Sequence, residues 1–572
     1  MAQTKLATLV SQLEQARTQI GLIPAKKLEQ KFLRLFSAAD RAPVGKDAES
    51  LIRFHDLLLF LRAFPPTVAV LRRADLLLAK IEAKVKTVLA AGADPDLFTP
   101  EEVAGIAGTV VEATFSYPVA LWLVQHYPRE ISIQWDGYER DTQRGLIWPR
   151  FMPLLEEDSL IEAYVPFLDW LKAARGQVGE LPWLVQQFQR LPLSEKEKAA
   201  LYDAQEILVQ WDLTGSRASR THLRKPTQRF YFHQGPLIQR RQVSIADELA
   251  KPPLPIKSLP QPQSEKILDM MKETLGVRYR ELYGISNASS AWVAQANIGR
   301  GAEIYLCGLQ PDKRQPLRAY LAGFTVKNGV PINYFECSSL FDWTEIGFNT
   351  FPAYRDGETA WIYAQTLRLL KQLHGTNAIS VYPYQIGDDN EEAIASGAFW
   401  FYRKLGFRSM NPELEQLAQS EEKKISANSK YRTPARTLRK LSKANVVFET
   451  SEAQRGAWDK FSIRNVGLAV QRQTAKDFSG NSQAMLHAAN KKLANQLHFN
   501  PSKLKPDQQT AFADFAAVLN LIPDFTRWSA EEKSAVRAII AAKAAKTELN
   551  YLQLLQKHAR LRKAILQIGS TR

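Results

Sequence analysis

The stretch Tyr354-Arg355-Asp356-Gly357-Glu358-Thr359-Ala360, with Phe401-Tyr402-Arg403-Lys404-Leu405-Gly406-Phe407 downstream of it, decides how this chain is read. A short glycine turn leads into a segment in which Trp361, Ile362, Ala364, Leu367, Leu370 and Leu373 recur at helical spacing. That periodicity predicts a helix with one buried face, beginning near Thr359 and stopped by His374-Gly375. Ala378 to Tyr382 then reads as an apolar strand closed by Pro383, and a second helix is expected from the Asp388-Asp389-Asn390 cap to Gly406. Turn, helix, strand and helix on one sheet is a plan suited to phosphate, because the first turn of a helix offers free N–H groups at its positive dipole end.

Upstream, residues 317–326 and 331–340 read as strands joined by Lys327-Asn328-Gly329, and Asn-Gly is a strong hairpin signal. A further short strand, Ile346 to Phe351, delivers the glycine turn.

With this order of elements in place, Phe401-Tyr402-Arg403-Lys404-Leu405-Gly406-Phe407 resembles the F-Y-x-K-x-G-F ending of the fourth helix in the GNAT superfamily of acyl-CoA-dependent N-acyltransferases. The resemblance covers roughly residues 265–445. It implies acyl transfer from acyl-CoA to an amine, with Glu345 or Glu336 as general base and Tyr402 as the acid that protonates the leaving sulfur. It further implies a coenzyme loop at Arg355, Gly357, Glu358, Thr359 and Ala360, a pantetheine slot lined by Tyr382, Tyr384 and Gln385, and a contact from Asn390. The family loop reads Q/R-x-x-G-x-G/A, whereas Arg355 and Gly357 stand only two apart here. Aligning on Gly357 puts Tyr354 and Thr359 at the outer loop positions.

The 572 residues imply several domains, and 45% hydrophobic with 23% charged residues is the balance of a globular protein. A net charge of +16 favours anionic partners, against the plainer alternative of a solvated basic surface. Two cysteines exclude a disulfide framework and point to a reducing cytoplasm. The chain opens without a signal-peptide pattern, and its most apolar run is flanked by His55, Asp56 and Arg62, so no membrane span is expected.

The expected organisation is α+β and multidomain: a helical region at 1–210, a basic, proline-containing connector at 211–264, the GNAT-like domain at 265–445 and a helical region at 446–572. Helix starts are read at Thr99-Pro100-Glu101-Glu102, at Ser194 with Glu197 and at Ser529 with Glu532. Two basic stretches are candidate surfaces for nucleic acid or an acidic partner. One carries Arg217, Arg220, Arg224, Lys225 and Arg229; the other carries Lys557, Arg560, Arg562 and Lys563. The plainer alternatives are a packed connector and an amphipathic helix.

Other chemistries are not signalled. Neither the spacings of zinc sites nor those of nucleotide-binding glycine loops occur, so no metal is expected. Three readings remain: an acyltransferase acting on a small-molecule or protein amine, a non-catalytic scaffold carrying a degenerate GNAT-like domain, and association with nucleic acid through the two basic stretches.

Overall fold

The computed structural model describes residues 4–135, 146–159, 165 and 167–570. Its class is α+β, with helices at both ends of the chain around two sheets. Strands β1 (Val110–Thr114), β2 (Ile131–Ile133) and β3 (Leu208–Asp212) form a small antiparallel sheet in the order β1-β3-β2. The large sheet has nine strands: β4 (Ile256–Ser258), β5 (Ala288–Gly299), β6 (Ala302–Leu309), β7 (Ala319–Lys327), β8 (Val330–Leu340), β9 (Trp343–Thr350), β10 (Ala378–Val381), β11 (Arg408–Ser409) and β12 (Val446–Glu449). Their order is β11-β12-β10-β9-β8-β7-β6-β5-β4. Every neighbouring pair is antiparallel except β9 and β10, which run parallel with the Thr359–His374 helix as their crossover.

The predicted hairpin is β7–β8. Asn328 (φ 49°) and Gly329 (φ 84°) form its two-residue tip, both left-handed as a tight hairpin of matching twist requires. Residues paired across β8 and β9 share a face, so Glu336 lies with Gly347 and Ser338 with Glu345, while Phe335 and Phe348 point the other way. The Thr359–His374 helix covers the Phe348 face, with Tyr363 edge-on to Phe348 at 5.0 Å. Gly375 in the left-handed conformation ends that helix as expected.

All of β7 is buried, as befits a central strand, and each large apolar side chain so buried contributes about 1.5–3 kcal/mol. The N-terminal helices share this core: Phe60 and Phe64 are fully buried in the same apolar cluster as Phe335 and Tyr363. The C-terminal helices grip the opposite end of the sheet. Lys543 donates to the Arg318 carbonyl at 2.8 Å, Gln556 to the Phe341 carbonyl at 2.8 Å, and Arg562 pairs with Asp342 at 2.9 Å.

Three expectations change. Among the described residues up to 212, the helices are interrupted by β1, β2 and β3, whose three to five residues are too short to leave a clear alternation. Thr99-Pro100-Glu101-Glu102 makes a single turn, because Gly105 (φ 87°) and Gly108 (φ 84°) turn the backbone left-handed directly after it. The helix expected up to Gly406 is two, Glu391–Ser396 and Ala398–Arg403, broken at Gly397 (φ 67°). The capping boxes at Ser194/Glu197 and Ser529/Glu532 form as read. Among the described residues no helix is long and apolar enough to cross a membrane.

One buried ion cluster sets the position of the glycine turn. The Glu358 carboxylate, with no exposed surface, pairs with Lys327 at 3.2 Å and with Arg300. It also accepts from the Ile238 amide at 3.2 Å. Burial alone would raise its pKa, but Lys327 and Arg300 outweigh that and hold the carboxyl below its ordinary 4.5. Its stabilising contribution is therefore complete above pH 4.5 and is lost as the pH falls through the depressed value. Glu358→Gln, which strands a buried lysine, is expected to lower unfolding free energy by about 3–5 kcal/mol in a denaturant titration at pH 7, with the loss shrinking on acidification.

Candidate active site

The crossover helix begins without a cap. Glu358 turns its side chain inward, and among the described residues nothing accepts from the amides of Thr359, Ala360 and Trp361. Three free N–H groups at the positive end of a sixteen-residue helix are an anion cradle in chemical terms. Gly357 is required by close approach: a Cβ there would lie 2.6 Å from the Phe64 ring. The N-terminal region thus packs directly on the turn.

Thr359 and Ala360 line a cleft of about 890 Å³. Gly357, Thr359, Ala360 and Phe401 form its floor, and the end of the first helix with the turn after it (Arg17, Ile20, Leu22) and the connector (Leu237, Arg240, Arg241) form its walls. Four arginines face it. Arg17 pairs with Asp356, and Arg355 with Glu392, whereas Arg240 and Arg241 have no carboxylate partner among the described residues. The cleft is strongly basic beside an uncapped helix, a field that concentrates anions.

A second feature lies along the parallel seam. β9 and β10 pair only at Trp343–Ala378, Thr344–Ile379 and Glu345–Ser380; β9 then continues to Thr350 with no partner on that side. Tyr382 and Gln385 stand where the strands part. A Cβ on Gly347 would meet the Tyr382 ring at 3.4 Å and Gln385 at 3.6 Å, and Gln385 donates to the Tyr382 hydroxyl at 3.3 Å. Burial raises the Tyr382 phenol pKa, and the charges of Glu336 and Glu345 add to the shift.

The sequence-predicted residues divide around that seam. Glu345 accepts from Arg318 at 3.2 Å and Asn445 at 3.1 Å and faces a separate cleft of about 1300 Å³ against the C-terminal helices. Glu336, on the same sheet face, accepts from the Tyr320 hydroxyl. Tyr402 lies on the other side, 3% exposed, edge-on to Tyr363 at 5.7 Å and to Phe407 at 5.6 Å. Its phenol stays protonated: burial raises its pKa and Tyr382 contributes further. Tyr402 does not line the basic cleft, which takes Phe401 instead.

The remaining candidates have local roles. Asn390 caps the Glu391–Ser396 helix by accepting from the Ala393 amide at 3.0 Å and donates to the Tyr384 carbonyl at 3.1 Å, away from the helix amides. Tyr384 is half exposed and stacks parallel to Tyr382 at 6.4 Å. The basic stretches are largely engaged inside the protein. Arg220 pairs with Asp56, Arg224 with Asp75 and Lys225 with Glu303; Arg560 pairs with Asp524 and Glu532.

Sequence reading missed Arg17, Arg240 and Arg241. The only local signal for the arginines was the pair in Gln239-Arg240-Arg241-Gln242, because the cleft joins segments more than a hundred residues apart in the chain. Among the described residues no group of three or more His, Cys, Asp or Glu side chains is placed to hold a metal ion. No family model, curated protein or solved structure matches the chain.

Tyr363 links the helix to Tyr402, and its hydroxyl is buried without a partner. Tyr363→Phe is expected to raise stability by about 1 kcal/mol, measured by urea unfolding, since the ring packing stays and an unsatisfied donor goes.

Proposed function

We propose that the chain is an acyl-CoA-dependent N-acyltransferase acting on a small-molecule or protein amine. One observation carries this reading. The only parallel strand pair of the large sheet is joined by a helix whose uncapped N-terminus opens on an arginine-rich cleft, and the same pair parts beyond Glu345 and Ser380. Ligands of open sheets with parallel strands bind at the carboxyl ends of those strands, where the cleft lies. The order of strands around it also agrees with the resemblance carried by Phe401 to Phe407.

In this reading the helix amides and the arginines hold the coenzyme phosphates, and the thioester enters the seam beside Tyr382. Glu345, directly or through water, takes a proton from the amine. The nitrogen forms a bond to the acyl carbon as the carbon–sulfur bond breaks, and the thiolate takes its proton from the Tyr382–Tyr402 pair. The 1300 Å³ cleft that Glu345 faces supplies the acceptor side. Cys307 and Cys337, both free and buried, fit a reducing compartment, and we place the protein in the cytoplasm.

A second reading is a scaffold without catalysis, favoured by the burial of Tyr402 and by the two donors already bound to Glu345. Calorimetry with acetyl-CoA and with free CoA separates the two. Heat from both is expected; none from either, with folded protein, overturns the enzyme. Given a responding amine, Glu345→Gln and the double variant Tyr382→Phe, Tyr402→Phe are each expected to lower turnover by about 10²–10⁴-fold while leaving CoA binding unchanged.

A further inference from the structure

The basic cleft contains two anion-binding features. The first is the uncapped helix at Thr359 to Trp361, with Arg355 beside it. The second is formed by the connector. Arg240, half-buried, and Arg241 project from a single turn, Arg240–Gln242, that packs on the crossover helix. Lys404, just past the end of the Ala398–Arg403 helix, lies within electrostatic reach of both Arg240 and Arg432. Arg432 donates only to the carbonyls of Ser429 and Tyr431.

Among the described residues no carboxylate pairs with Arg240, Arg241, Lys404 or Arg432. The acids near the cleft are engaged elsewhere: Asp356 with Arg17, Glu392 with Arg355, and Glu358 with Lys327 and Arg300. The exposed Lys404 lies close enough to the half-buried Arg240 and to Arg432 for its charge to repel both, a repulsion that a shared anion would relieve. Apolar side chains, Leu22, Leu237 and Phe401 among them, line the same cleft. The occupant that fits has two separated phosphate groups joined through an aromatic, stackable body.

We infer that Arg240 and Arg241, assisted by Lys404, recognise the ribose 3′-phosphate of the coenzyme, so that the connector selects CoA over its 3′-dephospho form. The inference rests on the acyl-CoA reading above. It assigns the connector a role in cofactor choice: the pyrophosphate lies on the helix amides, the base against Phe401 and the second phosphate on the connector. A connector of otherwise solvated arginines would not distinguish the two coenzymes.

The test is calorimetry on the full chain with CoA and with 3′-dephospho-CoA, repeated on the double variant Arg240→Ala, Arg241→Ala and on Arg455→Ala, whose exposed side chain pairs only with Glu452. Wild type and Arg455→Ala are expected to bind CoA at least about tenfold more tightly than the dephospho form, as loss of charge-assisted hydrogen bonds implies. The Arg240, Arg241 variant is expected to bind both forms equally, at the affinity wild type shows for dephospho-CoA, with an unchanged melting temperature. Equal binding of both forms by wild type overturns the connector's role and leaves the coenzyme reading intact. A CoA preference that survives in the Arg240, Arg241 variant also overturns it, and absence of binding by either form overturns both.

Discussion

The buried carboxylate of Glu358 is the point at which separate parts of the chain become one site. It draws in Lys327 from the tip of the β7–β8 hairpin, Arg300 from the turn between β5 and β6, and the Ile238 amide from the connector. Three segments distant in sequence are thereby held to the residue that opens the crossover helix. Because the Glu358 side chain is turned inward to do this, it does not cap its own helix, and the first-turn amides are left facing the cleft. A charge taken fully out of water is tolerable only with partners of this kind, and removing any one of them leaves the rest uncompensated. Structural demand and anion-binding capacity thus come from the same residue.

A second constraint is the short parallel pairing of β9 and β10. Three paired residues are enough to bring the crossover helix back over the sheet, and too few to close the seam beyond Glu345. The unpaired end of β9 is satisfied on its other side by β8 up to Asn333–Thr350, so the gap leaves β9 with one full ladder. Tyr382 and Gln385 occupy it, and Gly347 is the position that lets them approach. Tyr402 is packed among Tyr363, Phe401 and Phe407 on one side, while Glu336 and Glu345 lie on the other.

The flanking helices are part of the site's construction. Phe64 rests on Gly357, and Arg17 and Leu22 wall the basic cleft, so the N-terminal region shapes that cleft. The C-terminal region holds the start of β7 and the β8–β9 turn and closes the cleft that contains Glu345. Burial in a shared apolar core is what makes this arrangement more than adjacency: Phe60 and Phe64 belong to the same cluster as Phe335.

Local pattern was enough to read the Thr359–His374 helix, the Asn328-Gly329 hairpin and the Ser194 and Ser529 capping boxes, because each depends on residues within one or two turns of one another. The α+β class followed from the same signals. Local pattern was not enough to read the short strands β1 to β3 or the break at Gly397, where backbone geometry overrides an apolar run. Nor did it show which arginines are free. Arg220, Arg224 and Arg560 belong to basic stretches that look available, yet they find Asp56, Asp75 and Asp524 in the folded chain, while Arg240 and Arg241 find no acid among the described residues. The sequence by itself determined the elements and the kinds of side chain on offer. Only the tertiary structure decided which charges cancel and which converge on the helix amides, because pairing acts through space between residues that chain order keeps apart.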